Sequence, residues 1–251
     1  MNEAVMPAEG APQVWLADLD DLGRVLEEVE TAVRLLAPSE QAWTFDSPTG
    51  THLNRRRARI ALRMLLADAG APTLARGEFL IAPSGKPRIA AGKLHFSVSH
   101  TRGLALFAIA SAGPIGIDLE MERDVQLGPE RRRLIEAAAR GLLPDIQPGF
   151  LAAWTSLEAF AKARGTGIGA LLTELGMTAS SIRTLRDDDA TSAARLILTN
   201  SGLAVAGIDL PQGIYGSIAA PNGRLGITIA PRRLDAGHCR IAMQRISAAA
   251  R

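Results

Sequence analysis

Gly116-Ile117-Asp118-Leu119-Glu120, followed some thirty residues later by Trp154-Thr155-Ser156-Leu157-Glu158-Ala159-Phe160-Ala161-Lys162, is the stretch on which the fold turns. The first piece alternates and follows β-branched Ile115, so it reads as a strand end. Successive strand side chains point to opposite faces, which puts Asp118 and Glu120 on one face and Ile117 and Leu119 on the other. The second piece reads as a helix, in which Trp154, Glu158 and Lys162 recur at intervals of four and line one stripe. Carboxylates from a strand end and a helix together suit a hard divalent cation. Mg²⁺ prefers oxygen ligands and commonly keeps waters and substrate phosphates. A lysine one turn beyond the helical carboxylate is then placed to reach those phosphates.

Outward from this stretch, the chain alternates between helical and strand-like segments. Leu22, Val25, Leu26, Val29 and Val33 give an amphipathic helix that stops before Pro38. A short helix is expected over 39–45, a turn over 46–50, and a long helix over 51–69. Strands are expected at 14–16, 79–81, 94–98, 104–110 and 115–119, separated by Gly, Pro and Ser turns. Gly128-Pro129 opens a helix through Arg140, and the motif helix covers 150–163 until Gly165-Thr166-Gly167 stops it. Short strands are expected at 195–198, 203–206, 214–218 and 225–229, with Asn222-Gly223 as a hairpin signal. The last two dozen residues read as a strand and a small-residue tail. The fold class is therefore α+β. Residues 1–12 form a loose tail, 13–112 an N-terminal half and 113–251 a C-terminal half carrying the acidic motifs.

Composition narrows the function classes. Of 251 residues, 47% are apolar and 22% charged, as expected for a soluble globular protein. Twenty-eight Lys and Arg against 26 Asp and Glu leave a formal charge of +2, which gives no support for a nucleic-acid partner. Cys239 is the one cysteine, so no intrachain disulfide or multi-cysteine metal site exists, which fits a reducing cytoplasm. The N-terminus lacks a basic start followed by an apolar run, and no apolar stretch approaches spanning length, so neither export nor membrane insertion is expected.

The remaining motifs have bland and functional readings side by side. Asp118 and Glu120 alone fit two solvated residues at a strand end. The apolar run around them argues for burial, where neighbouring carboxylates need a cation or protons. Glu158 and Lys162 alone fit a surface ion pair, but Trp154 on the same stripe argues for partial burial. The 51–69 helix carries Arg55, Arg56, Arg57, Arg59 and Arg63. A helical wheel sets Arg55, Arg59 and Arg63 opposite Leu53, Ile60 and Met64, with Arg57 inside the apolar sector. These arginines read as a solvated face or as a phosphate patch, with a nucleic-acid groove a third reading disfavoured by the lack of stacking aromatics in this stretch. Ser99 and His100 are sequence neighbours without a G-x-S-x-G elbow, so no hydrolase triad is indicated. Gly165 to Gly169 lacks the Lys-Ser/Thr ending of a phosphate-binding loop.

Taken together, Gly85-Lys86-Pro87, Phe96-Ser97-Val98-Ser99-His100, Gly116-Ile117-Asp118-x-Glu120 and Trp154-x-x-x-Glu158-Ala159-x-x-Lys162 resemble the 4'-phosphopantetheinyl transferases of the surfactin-synthetase-activating type. The resemblance covers residues 85–167 and is weaker before 50 and after 175. It implies two similar α/β halves related by a pseudo-twofold, with coenzyme A in the cleft between them. It implies transfer of the 4'-phosphopantetheine arm to a serine of an acyl or peptidyl carrier protein, in fatty acid, polyketide or nonribosomal peptide synthesis, by a monomer. Asp118, Glu120 and Glu158 would hold Mg²⁺. Glu158, Lys162 and Asp118 would be catalytic. Lys86, Ser99, His100, Lys162, Arg55 and Arg59 would bind coenzyme A. The carrier would dock beside the motif helix and residues 165–175, on Ile168, Leu171, Leu172 and Leu175, although a core role fits some of these four equally well. Two departures stand out: Leu157 where the family has lysine, and Glu40-Gln41-Ala42-Trp43-Thr44 where it has basic residues. A non-catalytic relative that binds carrier protein or coenzyme A is the competing reading.

Overall fold

The computed structural model describes residues 10–41, 51–70, 76–89, 94–178, 180–226 and 228–249. Among them the chain runs β1 (Gln13–Asp18), α1 (Gly23–Val33), α2 (Pro38–Gln41), α3 (Thr51–Asp68), β2 (Leu80–Ile81), β3 (Pro87–Arg88), β4 (His95–Thr101) and β5 (Leu104–Ala110). It continues through β6 (Gly116–Met121), α4 (Pro129–Leu142), α5 (Phe150–Arg164), α6 (Ile168–Glu174) and α7 (Asp187–Ser201). The last elements are β7 (Leu203–Ile208), β8 (Ile214–Pro221), β9 (Thr228–Ile229), β10 (Arg232–Arg233) and α8 (Ala236–Ala249). The turn expected over 46–50 and most of the short helix over 39–45 lie outside the described residues.

Two four-stranded sheets result, ordered β10-β1-β5-β4 and β6-β8-β7-β9, with β2 and β3 as a separate hairpin. Three strands of each follow one plan: the first pairs antiparallel with the third, and the third pairs antiparallel with the second. The added two-residue strand differs, since β10 joins the first strand of its sheet in parallel whereas β9 joins the second strand of its own. The fold is mixed α+β.

Period-two alternation decides what each strand face meets. Trp15, Ala17, Ala105, Phe107 and Ile109 turn toward α1, α3 and α8, packing on Leu26, Met64 and Ile246. The intervening Val14, Leu106, Ala108 and Ala110 turn the other way and meet Ile117, Leu119, Ala206 and Ile218 of the second sheet. Leu203, Val205 and Ala219, on the far face of that sheet, lie under α4, α5 and α7. The order is helices, sheet, sheet, helices. Each fully buried Leu, Ile or Phe contributes roughly 1.5–3 kcal/mol, so a one-residue register slip in β5 would reverse both of its packed faces at once.

Several expectations need correcting. Residues 195–198 are not a strand; they belong to α7. Asp187, Asp188 and Asp189 occupy its first turn, where negative charge favours a helix start, and Gly202 at φ 69° ends it. Ala190 and Ala194 bury one face of it against α4, where a side chain at Gly141 would collide with the Thr191 carbonyl. Asn222 and Gly223 do form a turn, with Arg224 N donating to Pro221 O at 3.2 Å. The strand after it pairs in parallel with β7, however, so no β8–β9 hairpin forms. The C-terminal stretch is the helix α8, not a tail. With β10 beside β1 and Cys239, Ala242 and Ile246 in the first core, it lies with the N-terminal sheet rather than in the 113–251 half. The wheel also misplaced arginines: Arg63 is wholly buried on α3, whereas Leu53 is 45% exposed.

Candidate functional site

The edge strand of the first sheet, β4, lies beside the edge strand of the second, β6. Alternation turns Phe96 into the first core, with Val98 packed against it, and leaves Ser97 and Ser99 facing β6. Ser97 Oγ accepts the Ile117 amide at 3.0 Å, and Ser99 Oγ donates to Asp118 Oδ1 at 2.8 Å. On its other side β6 takes α5 at close range because Gly116 has no side chain. A Cβ there would collide with the Ala159 carbonyl and lie 2.5 Å from the Ala163 nitrogen.

Helix α5 is apolar almost all round, as a helix wedged between a sheet and other helices must be. From residue 150 to 163 every side chain is buried except Trp154, Glu158 and Lys162. Trp154 stacks on Phe150 with centroids 5.8 Å apart, which makes it packing rather than chemistry. The two charged members of the stripe stand over the β4–β6 junction.

Asp118 is the buried centre of this junction, 6% exposed. Lys162 Nζ donates to its Oδ1 at 2.6 Å and to Ile117 O at 3.1 Å. Burial pushes the Asp118 carboxyl above its usual range, although Lys162 and Ser99 pull the other way. Glu158 is also raised, first by burial and then by the negative charge of Asp118, with Glu120 adding and Lys162 opposing. Among the described residues Glu158 has no hydrogen-bond or ion-pair partner. It is therefore a half-buried carboxylate with a strengthened affinity for a proton, beside a fixed ammonium group.

Cations collect at the same place. Lys86, carried past the turn of the β2–β3 hairpin, donates from Nζ to Ile115 O at 2.5 Å and to Lys162 O at 2.8 Å. Burial, with Lys162 nearby, lowers it to about 8. His100 is surface-exposed, yet partial desolvation and the charges of Arg55, Lys162 and Arg59 hold its ring below the ordinary histidine range. A cleft of about 270 Å³ opens between hairpin and helix, lined by Gly85, Lys86, Ser97, Glu158, Lys162 and Gly165 among others. The arrangement offers anchored positive charge to an anion and a proton acceptor beside it.

The structure thus brings together Lys86, Ser99, Asp118, Glu158 and Lys162, with His100 and Arg55 within electrostatic reach. Glu120 shares the Asp118 side of β6, but Arg123 grips its carboxylate with contacts of 3.0 and 3.2 Å. Among the described residues no group of three His, Cys, Asp or Glu side chains stands ready-made for a metal. Arg59 is partly engaged elsewhere, 3.3 Å from Glu40 Oε1 and over the Phe79 ring. Leu157 is wholly buried, so position 157 faces the core and not the cleft. Leu171 and Leu175 are core residues too, at 1% and 2% exposed, which removes them from any docking surface; Ile168 and Leu172 remain partly accessible.

Sequence reasoning missed the work of three residues. Ser97 joins the sheets, Gly116 sets the helix distance, and Arg123 holds Glu120. The first two lay within quoted motifs and could have been weighed from period two and from glycine's small size; Arg123, three residues beyond Glu120, carried no comparable signal. No helix among the described residues is long and apolar enough to cross a membrane. Comparison with protein-family models and with curated proteins finds no match to the chain.

Proposed function

We propose that the chain is a 4'-phosphopantetheinyl transferase that moves the phosphopantetheine arm of coenzyme A onto a serine of an acyl or peptidyl carrier protein. The observation that carries this reading is the junction itself: Asp118 is buried beneath Lys162 and Ser99, with Glu158, unpartnered among the described residues, one turn before Lys162 on the accessible stripe of α5. A structural ion pair accounts for Asp118 and Lys162 but gives no reason for a half-buried carboxylate beside them. The shared antiparallel order of three strands in each sheet supports a pseudo-twofold relation of the halves.

In this reading the carrier serine hydroxyl attacks the β-phosphate of coenzyme A. A new P–O bond forms, the phosphoanhydride bond breaks, and adenosine 3',5'-bisphosphate leaves. Glu158, raised by burial and by Asp118, takes the serine proton. Lys162 offers its charge to the departing phosphate while its hydrogen bond to Ile117 O fixes its position. Ser99 orients Asp118. Lys86 and Arg55 supply positive charge for the phosphates, His100 offers a neutral ring N–H donor, and two backbone carbonyls hold Lys86 in place.

Asp118, Glu120 and Glu158 would supply the all-oxygen donors that Mg²⁺ prefers once Lys162 and Arg123 release the first two. Mg²⁺ bound there would neutralise diphosphate charge and orient the leaving group.

The test is Mg²⁺-dependent labelling of apo carrier proteins by a fluorescent coenzyme A. Labelling of at least one acyl or peptidyl carrier is expected. No labelling across a panel, with folded protein and added metal, would sink the reading. The second reading, binding without transfer, draws support from the carboxylates already neutralised by Lys162 and Arg123. Calorimetric binding of coenzyme A without turnover would favour it.

A further inference from the structure

Gly207 lies in β7 with no atom within 4 Å of where a Cβ would stand. A cavity of about 860 Å³ opens there, bounded by residues 143–148 between α4 and α5, by β7 and β8, and by the 209–213 loop. It shares no lining residue with the Glu158 cleft. Its volume falls within the roughly 300–1,000 Å³ of small-molecule sites.

Its lining is unbalanced in hydrogen bonding. Thr155 and Ser217 are buried in its wall, at 0% and 3% exposed. The single hydroxyl proton of Thr155 goes to Ala152 O at 2.9 Å. The 3.1 Å contact between Thr155 Oγ1 and Ser217 Oγ must then be donated by Ser217. Ser217 Oγ keeps its acceptor lone pairs, and among the described residues no donor reaches them. The charged side chains of the lining are Asp145 and Asp209, and no Lys, Arg or His lines the cavity among the described residues. The Tyr215 hydroxyl is spent on Glu122. Ile146, Leu210 and Ile214 supply apolar wall.

A ligand suited to this lining brings hydrogen-bond donors and positive charge on an apolar body. We propose that the cavity is a binding site for a small organic ammonium ion, its apolar part over Gly207 and its N–H groups toward Ser217 Oγ and the two aspartates. Nothing in this site requires the chemistry at Glu158.

The test is titration of the full-length protein with 2-phenylethylammonium and, in parallel, with 3-phenylpropionate, followed by backbone amide shifts. The amine is expected to give saturable shifts at Gly207, Asp209 and Ser217, with the carboxylate weaker by about tenfold or more. Gly207→Leu fills the open space and is expected to abolish those shifts. Should that variant fail to fold, the exposed pair Asp145→Asn and Asp209→Asn decides. Together they are expected to weaken the amine roughly two- to thirtyfold, the range for two exposed ion pairs. Equal affinity for amine and carboxylate, shifts that map elsewhere or never saturate, or affinity unchanged in the folded variants would overturn the proposal.

Discussion

Helices α3 and α5 make opposite use of charge. The first is crowded with arginines, and most of them serve the fold. Arg56 pairs with Glu27 at 2.9 Å, Arg57 with Asp20 at 3.0 Å, and Arg59 and Arg63 share Glu40. Arg63 lies 2.5 Å from Glu40, donates to Gly77 O and covers Phe79 at 4.2 Å. The motif turns of α5, by contrast, have only Glu158 and Lys162 charged, and both reach the cleft. The density of charge along a helix therefore says little about chemistry. What matters is whether a charge, partnered or not, is left facing a cleft, as Glu158 and Lys162 are.

The largest expected effect is at Glu158. Glu158→Gln keeps the shape and removes the base, so labelling should fall by ~10²–10⁴ while thermal stability holds or rises slightly, since the raised carboxyl no longer has to ionise in the fold. Initial-rate kinetics beside a melting curve checks it; equal losses in both would erase the distinction between the helices. Next is Arg63→Met, which leaves the buried Glu40 carboxylate with half its cationic support. Breaking a buried pair typically costs about 3–5 kcal/mol, so the denaturation midpoint should drop steeply while the labelling rate of the folded fraction holds. Gly116→Ala falls between the two kinds. A methyl against the Ala159 carbonyl must push α5 from β6, at roughly 1–3 kcal/mol by overpacking. Because α5 carries Glu158, the folded variant should also label more slowly, with kcat falling more than KM rises.

Much of this architecture was legible in the sequence. Leu104–Ala110 is an unbroken apolar run between turn residues, so its strand limits could be read directly, and the Trp154, Glu158, Lys162 spacing gave the accessible stripe of α5. What escaped depended on partners distant in the chain. The 195–198 segment carries strand-like residues, but the buried alanines at 190 and 194 and the acidic first turn fix it as helix. Arg63 looked solvent-facing on a wheel because the wheel contains neither Glu40 nor Phe79. Leu157 looked like a charge missing from the site, whereas its position points into the core. The contacts of Glu120 with Arg123 could not be weighed either, since proximity along a strand end does not tell which side chains meet.

Lys86 tests the comparison where it is finest, because it serves fold and cleft together. Its ammonium group is lowered to about 8 by burial and by Lys162. A neutral amine still has two N–H donors, enough for Ile115 O and Lys162 O, so the hairpin stays pinned when the proton leaves. Charge for an incoming phosphate does not survive that loss. KM for coenzyme A should therefore rise by several-fold as pH passes upward through about 8, and Lys86→Arg, charged throughout, should flatten the rise. The stability curve has the opposite sense. Between about 8 and the ordinary lysine value the unfolded chain holds the proton that the folded chain has released. Unfolding then takes up a proton, so this group favours the folded state increasingly as pH climbs through that window. The difference in melting temperature between wild type and Lys86→Met should widen in favour of wild type across the same interval. A KM that stays flat while the stability difference widens would make Lys86 a fastening of the hairpin alone and return it to the company of the α3 arginines.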